Sequence, residues 1–402
     1  MKPPSELSRL RRDFIVNGSR SLAGFLLGPA VASGLLAQET PLEPLYRNLS
    51  ELGELQSPDT NGLRLPRGFR SRIVARSRQF VRGTRHVWHD RPDGGACFAA
   101  NDGGWIYVSN SERRLADGGG SVSALRFDAR GEIVSAYPIL EGSDYNCAGG
   151  RTPWQTWLSC EEVDRGLVHE CDPFGMRSAE PRPALGRFKH EAVAVDTIQG
   201  HLYLTEDVPD SCLYRFVPAN GLPDLGSGML QVAVAEEHNG LVRVAWRGLD
   251  DPQASSTPTR YQVPEALHFN GGEGCAWHNG SLYFTTKGDN RVWRLDTGSS
   301  ELSVLYDAAT SAMPHLSGVD NVTITASGDV LVAEDGGDMQ IVLLGPDGLV
   351  LPVLQLVGQD ESEICGPAFD PSFQRLYFSS QRGPEDRDDD GITYEVSRIG
   401  AA

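Results

Sequence analysis

Acidic side chains recur where short apolar segments of this 402-residue chain begin or end. The candidate metal ligands among them, together with one cysteine, are Cys160, Glu161, Glu162, Glu191, Glu206, Asp207, Glu273, Asp320, Glu334 and Asp335. Carboxylate oxygens suit hard cations such as Ca²⁺, whereas a thiolate admits a softer transition metal. The residue types therefore predict a metal site, provided that the fold brings these side chains together.

Cys160 and two cationic residues among the acids each have two interpretations. Cys160 directly precedes two glutamates, but a cysteine is also common as a small buried hydrophobe or as half of a disulfide. Lys287 and Arg382 stand among the acids, where a cation forms an ion pair or binds an anionic substrate through charge-assisted hydrogen bonds. Both alternatives remain open for each of them.

The apolar segments are copies of one repeat. Its six copies, each ending in a polar cluster, are Gly104–Glu112, Trp154–Glu162, Gly200–Asp207, Gly280–Asp289, Gly328–Asp335 and Gln374–Arg382. Most copies lie roughly 45 to 50 residues apart, which is the length of a four-stranded propeller blade. No long segment has a helical period. The sequence therefore predicts an all-β fold, a six-bladed β-propeller with a metal cluster in its central channel.

The geometry of a meander explains how the acids would meet. The first strand begins at the edge where the second strand ends, because the chain runs down one and back up the other. We therefore expect Glu191, Glu273 and Asp320, which open first strands, to join the acids that end second strands. Like charges raise each other's pKa values, and multivalent cations relieve this repulsion. The alternative for any single acid is a solvated position at the rim.

Composition excludes one class of partner. The chain has 36 Lys and Arg against 54 Asp and Glu, a formal net charge of -18. Such a field repels a phosphate backbone, so we expect no nucleic-acid partner.

The first 37 residues predict an export signal. Arg11 and Arg12 precede the uncharged stretch 21–37, as in twin-arginine signals; an amphipathic helix is the alternative. We expect passage through the twin-arginine (Tat) translocon, and a periplasmic or secreted, monomeric mature chain without a membrane span. Residues 38–63 are predicted to be a lead-in segment, and residues 64–402 the propeller domain.

The chain resembles the PhoX-type alkaline phosphatases. The motifs that carry the resemblance are Pro153–Glu162, Gly186–Asp196, Tyr203–Asp207, Tyr214–Pro218, Gly271–Gly274, Phe284–Trp293 and Asp320–Asp335. The resemblance implies a propeller phosphomonoesterase with a cluster of Fe³⁺ and Ca²⁺. It further implies that Cys160 is the cysteine ligand, that Glu273 and the other acids complete the metal shell, and that Arg382 or Lys287 faces the phosphate. Gln155 departs from the family, which has glycine there.

Three functions follow from these patterns. The leading hypothesis is an exported metal-dependent phosphatase that hydrolyses small phosphomonoesters with a metal-activated oxygen nucleophile. The second is a calcium-dependent lactonase or esterase, which needs fewer ligands and no thiolate. The third is a non-enzymatic propeller in which calcium only stabilises the blades.

Overall fold

The computed structural model describes residues 44–46, 52–238, 240–345 and 348–399. The predicted export signal lies outside these residues. The described residues form β-strands and short 3₁₀ turns, with no helix long and apolar enough to cross a membrane. The 3₁₀ turns are Leu115–Asp117, Pro183–Leu185, Thr259–Tyr261 and Lys287–Asp289. The prediction of an all-β chain without long helices is confirmed.

Twenty-eight strands are present in the described part of the chain. In chain order they are β1 (Leu63–Arg64), β2 (Phe69–Arg76), β3 (Pro92–Ala99), β4 (Trp105–Ser111), β5 (Gly120–Phe127), β6 (Ile133–Ser143), β7 (Asn146–Arg151), β8 (Trp157–Glu161), β9 (Val168–Cys171), β10 (Glu180–Pro181), β11 (His190–Asp196), β12 (His201–Glu206), β13 (Ser211–Cys212), β14 (Tyr214–Pro218), β15 (Gly228–His238), β16 (Leu241–Gly248), β17 (His268–Phe269), β18 (Gly272–His278), β19 (Ser281–Thr286), β20 (Arg291–Asp296), β21 (Glu301–Asp307), β22 (Val319–Ile324), β23 (Val330–Glu334), β24 (Gln340–Leu344), β25 (Val350–Leu356), β26 (Ile364–Phe369), β27 (Arg375–Ser380) and β28 (Ile392–Arg398).

These strands form antiparallel meanders. Two are the separate sheets β3-β4-β5-β6 and β7-β8-β9-β10. A nine-stranded sheet contains two more, β11-β12-β14-β15 and β18-β19-β20-β21, joined because β16 pairs with both β15 and β21. The extra strand β16 falls within the long interval before the fourth repeat copy.

The two remaining meanders include strands from the beginning of the described chain. Strand β1 extends β22-β23-β24-β25, and β2 pairs with β28 to complete β26-β27-β28. Residues of the predicted lead-in contribute to the core, since Leu45 and Tyr46 are buried. The described residues of the lead-in thus pack against the sheets.

The six meanders follow one another in a propeller-like arrangement. Their first strands are β3, β7, β11, β18, β22 and β26. Each contacts the first strand of the next meander, and β26 contacts β3. The six first strands therefore contact one another in a closed ring.

Aromatic packing joins the first meander to the last. The Tyr107 and Tyr377 rings stack with centroids 5.1 Å apart, and Trp105 Nε1 donates a hydrogen bond to Tyr377 Oη at 3.1 Å. Phe127 packs beside the same tyrosine. All four side chains are buried, and such aromatic pairs stabilise a core beyond the area that they bury.

The unusual residue of the family motif has an unusual backbone. Gln155 lies in the turn between β7 and β8 with a φ of 65°. This is the left-handed region, which glycine adopts without strain and other residues rarely adopt. The backbone therefore keeps the conformation suited to the glycine that Gln155 replaces.

Candidate metal centre

A β-bulge recurs near the start of every first strand. In β11, His190 pairs with Glu206 and Val193 with Leu204, so two residues oppose one on β12. The bulged pairs are Asp93-Gly94, Cys147-Ala148, Glu191-Ala192, Glu273-Gly274, Asp320-Asn321 and Gly366-Pro367. Bulges re-aim side chains and are common beside active sites. Five of the six begin with an acid or a cysteine.

The second residue of most bulges is small because neighbouring first strands nearly touch there. A Cβ atom added to Gly94 would lie 2.5 Å from Ala148 Cα, and one added to Gly274 would lie 2.7 Å from Asn321 Cα. Real Cβ atoms do not approach backbone atoms this closely, so a larger residue would separate the strands. The close approach brings successive bulges, and the acids that they carry, side by side.

The residues opposite three of the bulges each donate a hydrogen bond to the bulge of the next meander. Thr205 Oγ1 donates a hydrogen bond to the Glu273 carbonyl oxygen, and Thr285 Oγ1 donates to that of Asp320, both at 2.5 Å. Asn110 Nδ2 likewise donates to the Cys147 carbonyl oxygen at 2.8 Å. These hydrogen bonds fix the bulges relative to one another.

Acidic side chains from the bulges and from the ends of the second strands form one continuous cluster. It consists of four overlapping groups, and within each group the ligand atoms lie within 4.8 Å of one another. The groups are Asp93, Glu112 and Cys147; Cys147, Glu162 and Glu191; Glu191, Glu273 and Asp320; and Asp320, Asp335 and Glu363. We call these nine residues the channel cluster.

The channel cluster carries more negative than positive charge. Four cationic side chains form ion pairs with five of its eight carboxylates: Arg91, Lys189, Lys287 and Arg382. If all carboxylates were ionised, about four negative charges would remain uncompensated in a buried site. Burial raises the pKa of Asp93 to about 6 and that of Asp320 to about 8. Burial, together with neighbouring acids, also raises the pKa of Glu191.

Orphaned oxygen atoms show that the cluster suits cations. Glu191 is fully buried, and neither of its carboxylate oxygens has a hydrogen-bond partner among the described residues. Glu273 Oε1 also lacks a hydrogen bond, although Lys287 Nζ lies 3.2 Å away. A buried carboxylate without partners is costly unless a cation or a proton compensates it. The donor set, eight carboxylates and one thiol, therefore fits metal ions.

Five of the ten predicted ligands belong to the channel cluster. They are Glu162, Glu191, Glu273, Asp320 and Asp335. The structure brings these together as the meander geometry predicts, because bulge residues and second-strand ends share one sheet edge.

Cys160 lies outside the channel cluster. It stands on β8 opposite the Cys147-Ala148 bulge, at the position that Thr205 and Thr285 hold in other meanders. Its side chain is buried in a hydrophobic cluster with Leu158. The cysteine that the structure places in the channel cluster is Cys147.

The other four predicted ligands are engaged elsewhere. Glu161 Oε2 accepts a hydrogen bond from the Leu167 N–H at 2.9 Å, and Glu334 accepts from the Ser317 and Gln340 N–H groups at 2.8 and 2.9 Å. Two further contacts are ion pairs. Glu206 Oε1 lies 3.0 Å from Arg260 Nη1, and Asp207 Oδ2 lies 3.0 Å from Lys189 Nζ. None of the four belongs to the channel cluster.

Four members of the channel cluster are absent from the predicted ligands. They are Asp93, Glu112, Cys147 and Glu363. Of these, Glu112 ends a predicted repeat copy, Gly104–Glu112. A signal was available for two of them, since Asp93 and Cys147 are each followed by a small residue, like Glu191-Ala192 and Glu273-Gly274. Glu363 directly precedes β26 within an acidic stretch that resembles a solvated loop.

The two predicted substrate-facing cations contact the channel cluster. Lys287 Nζ lies 3.2 Å from Glu273 Oε1 and 2.9 Å from Asp335 Oδ2, and these acids help to raise its pKa. Arg382 Nη1 lies 2.8 Å from Glu363 Oε1, while its Nε pairs with Asp386. Both therefore neutralise cluster carboxylates.

The fold and the site define an all-β protein with a propeller-like arrangement of sheets around a buried acidic cluster. A family model described as alkaline phosphatase PhoX matches residues 98–167 and 163–383, and the chain belongs to this family. The resemblance drawn from the sequence motifs is confirmed. No curated protein matches the chain.

Solved structures share the fold at low sequence identity. PhoX from Pseudomonas fluorescens, in complex with the transition state analogue vanadate, matches with a TM-score of 0.68 and 15% identity, over 88% of this chain and 98% of that one. A gluconolactonase from Xanthomonas campestris matches with a TM-score of 0.51 and 13% identity, over 87% and 98%. A Bacteroides thetaiotaomicron protein of unknown function gives 0.52 and 10%, over 82% and 76%.

Proposed function

We propose that this protein is a metal-dependent phosphatase that hydrolyses small phosphomonoesters. The observation that carries the proposal is the buried, unpartnered Glu191 carboxylate between Cys147, Glu162, Glu273 and Asp320. Membership of the PhoX family supports the phosphatase activity. In this proposal the six meanders are the blades of a propeller, and the channel cluster occupies its central channel.

The donor types divide the proposed metal site into two parts. Cys147, Glu162 and Glu191 combine a thiolate with carboxylates and would suit Fe³⁺. Asp320 and Glu363 belong to a group that offers only oxygen atoms and would suit Ca²⁺. Bound ions supply Lewis-acid stabilisation of phosphoryl oxygens and activation of water.

The cationic side chains would position the substrate. Lys287 is 36% exposed, so its ammonium group can reach a phosphate at the cluster while it holds Glu273 and Asp335. Arg382 uses four of its five N–H donors within the described residues, which leaves one Nη2 hydrogen for a phosphate oxygen. Lys287 is therefore the more available phosphate contact.

Export completes the proposal. The Arg11-Arg12 signal would direct the folded, metal-loaded chain through the Tat translocon to the periplasm or beyond. We propose that the mature protein acts there as a monomer.

Hydrolysis of p-nitrophenyl phosphate by the purified protein tests the activity. We expect turnover that a chelator abolishes and that added Fe³⁺ and Ca²⁺ restore. Turnover of no phosphomonoester by the fully metallated protein would overturn the proposal.

A lactonase is the second candidate because the Xanthomonas gluconolactonase shares the fold. Hydrolysis of gluconolactone that needs Ca²⁺ alone, and that persists in Cys147→Ser, would favour it. The thiol distinguishes the candidates, since a calcium site has no use for a soft ligand.

A further inference from the structure

A cationic cavity adjoins the channel cluster. It has a volume of about 240 Å³, and its wall carries four basic residues, Arg165, Arg187, Lys189 and Arg260, with one acid, Asp164. We call it the side cavity. We infer that the side cavity binds a second anionic group of the substrate, so that the preferred phosphomonoesters carry a carboxylate or a further phosphate. This inference rests on the proposed function.

Two of the basic residues have no carboxylate partner. In the described part of the chain, Arg165 and Arg187 form no ion pair, whereas Lys189 and Arg260 each pair with two acids. The guanidinium groups of Arg165 and Arg187 thus remain uncompensated in a chain with a formal net charge of -18. An uncompensated guanidinium binds carboxylate or phosphate with paired N–H donors.

Neighbouring groups hold both guanidinium groups in place. Arg165 Nη1 donates a hydrogen bond to the Ala254 carbonyl oxygen at 2.6 Å, and Arg187 Nε donates to Gln253 Oε1 at 3.2 Å. Arg187 Nη1 also donates to the Arg165 carbonyl oxygen at 3.2 Å. The segment before β17 therefore fixes the two side chains in advance, which lowers the entropy cost of binding.

Lys189 connects the side cavity to the channel cluster. Its side chain lines the cavity, and its Nζ lies 2.7 Å from Glu162 Oε1, a cluster member. A phosphoryl group at the cluster would therefore leave the rest of the substrate next to the cavity.

Two pairs of substrates test the inference. 3-Phosphoglycerate differs from glycerol 3-phosphate mainly in its carboxylate, and fructose 1,6-bisphosphate differs from fructose 6-phosphate in a second phosphate. We expect a kcat/KM at least about tenfold higher for the member of one or both pairs that carries the second anionic group, mainly through KM. The pair that responds identifies the second group as carboxylate or phosphate.

Variants assign the preference to the side cavity. Arg187→Gln and Arg165→Gln should each lower the preference about three- to tenfold while turnover of glycerol 3-phosphate stays unchanged. Arg187→Lys, which keeps the charge, should retain part of the substrate preference. Arg177→Gln is the matched control, because Arg177 is 70% exposed and pairs with Asp172 outside the cavity.

The outcomes separate the two proposals. Hydrolysis of all four compounds without preference, or a preference that survives in both variants, overturns the side cavity and leaves the phosphatase standing. If none is hydrolysed, the phosphatase fails, and calorimetric titration of the same four compounds decides on the cavity. Tighter binding of the compounds with a second anionic group that is lost in Arg187→Gln would then support the side cavity, and equal binding would overturn it.

Discussion

Cys160 lies on β8 opposite the bulge of β7 that contains Cys147, yet only the Cys147 thiol lies within 4.8 Å of both Glu162 and Glu191. Cys147 belongs to the bulge that turns side chains toward the cluster. Cys160 stands on the partner strand and packs with Leu158. The bulge, and not the proximity of glutamates in the sequence, decides which cysteine joins the channel cluster.

Replacing the two cysteines separates their roles. We expect Cys147→Ala to lower iron content and phosphatase turnover at least about a hundredfold, because the loss of even an outer-shell partner of a metal ligand costs about ten- to a hundredfold. Cys160→Ala should keep both within about threefold and lower only the stability, by about 1–2 kcal/mol, through lost packing. Elemental analysis measures the iron content of the two variants, and initial rates on matched preparations measure their turnover. The reverse pattern would restore Cys160 as the ligand.

Neutralising Glu191 should stabilise the protein when metals are absent. Glu191→Gln removes a buried carboxylate whose oxygens lack partners. We therefore expect the free energy of unfolding of the chelated variant to be roughly 1–3 kcal/mol higher than that of the chelated wild-type protein. The same variant should bind metal more weakly. Denaturant titration with and without a chelator measures both effects, with the exposed Glu237→Gln as control. Equal destabilisation under both conditions would contradict the role of Glu191.

Chelated protein should lose stability as the pH rises. Burial raises the folded-state pKa of Asp93 to about 6 and that of Asp320 to about 8, above their unfolded values. Such acids contribute stability that is complete below the unfolded pKa and disappears as the pH rises through the folded pKa. We therefore expect the Tm of chelated protein to fall relative to that of metal-loaded protein between about pH 5 and 8. A constant difference across this range would contradict the account.

Lys287 should contribute to phosphate binding. Lys287→Gln removes the ammonium group between Glu273 and Asp335, and we expect the KM for p-nitrophenyl phosphate to rise about tenfold. Inhibition by inorganic phosphate should weaken by a similar factor. Arg291→Gln is a suitable control, because Arg291 pairs with Asp289 and Asp307 and no cluster acid. A change in metal content alone, with KM preserved, would reduce Lys287 to a structural role.

The all-β class and much of the strand order could be predicted from the sequence. Each of the six predicted repeat copies contains the second strand of one meander, because apolar strand residues and turn residues are a local signal. The pairing of β16 with both β15 and β21 depends on long-range contacts that no local pattern encodes.

The candidate site was only half predictable for a related reason. Glu206 and Glu334 are the last residues of second strands, whereas Glu162 directly follows β8, and Arg260 and backbone N–H groups engage the first two. Arg260 lies 54 residues from Glu206 in the sequence, and the positions of the N–H groups that contact Glu334 depend on loop geometry that the sequence does not reveal. Asp93 and Cys147 depend on a bulge, which changes the direction of a side chain without changing the composition of the strand.

Metal content and turnover, measured on one preparation of the mature protein, test the central claim most directly. Elemental analysis should find iron and calcium together, with p-nitrophenyl phosphate hydrolysis that disappears on chelation and returns with the metals. A protein that binds no metal, or that holds both metals and hydrolyses no phosphomonoester, would contradict the account.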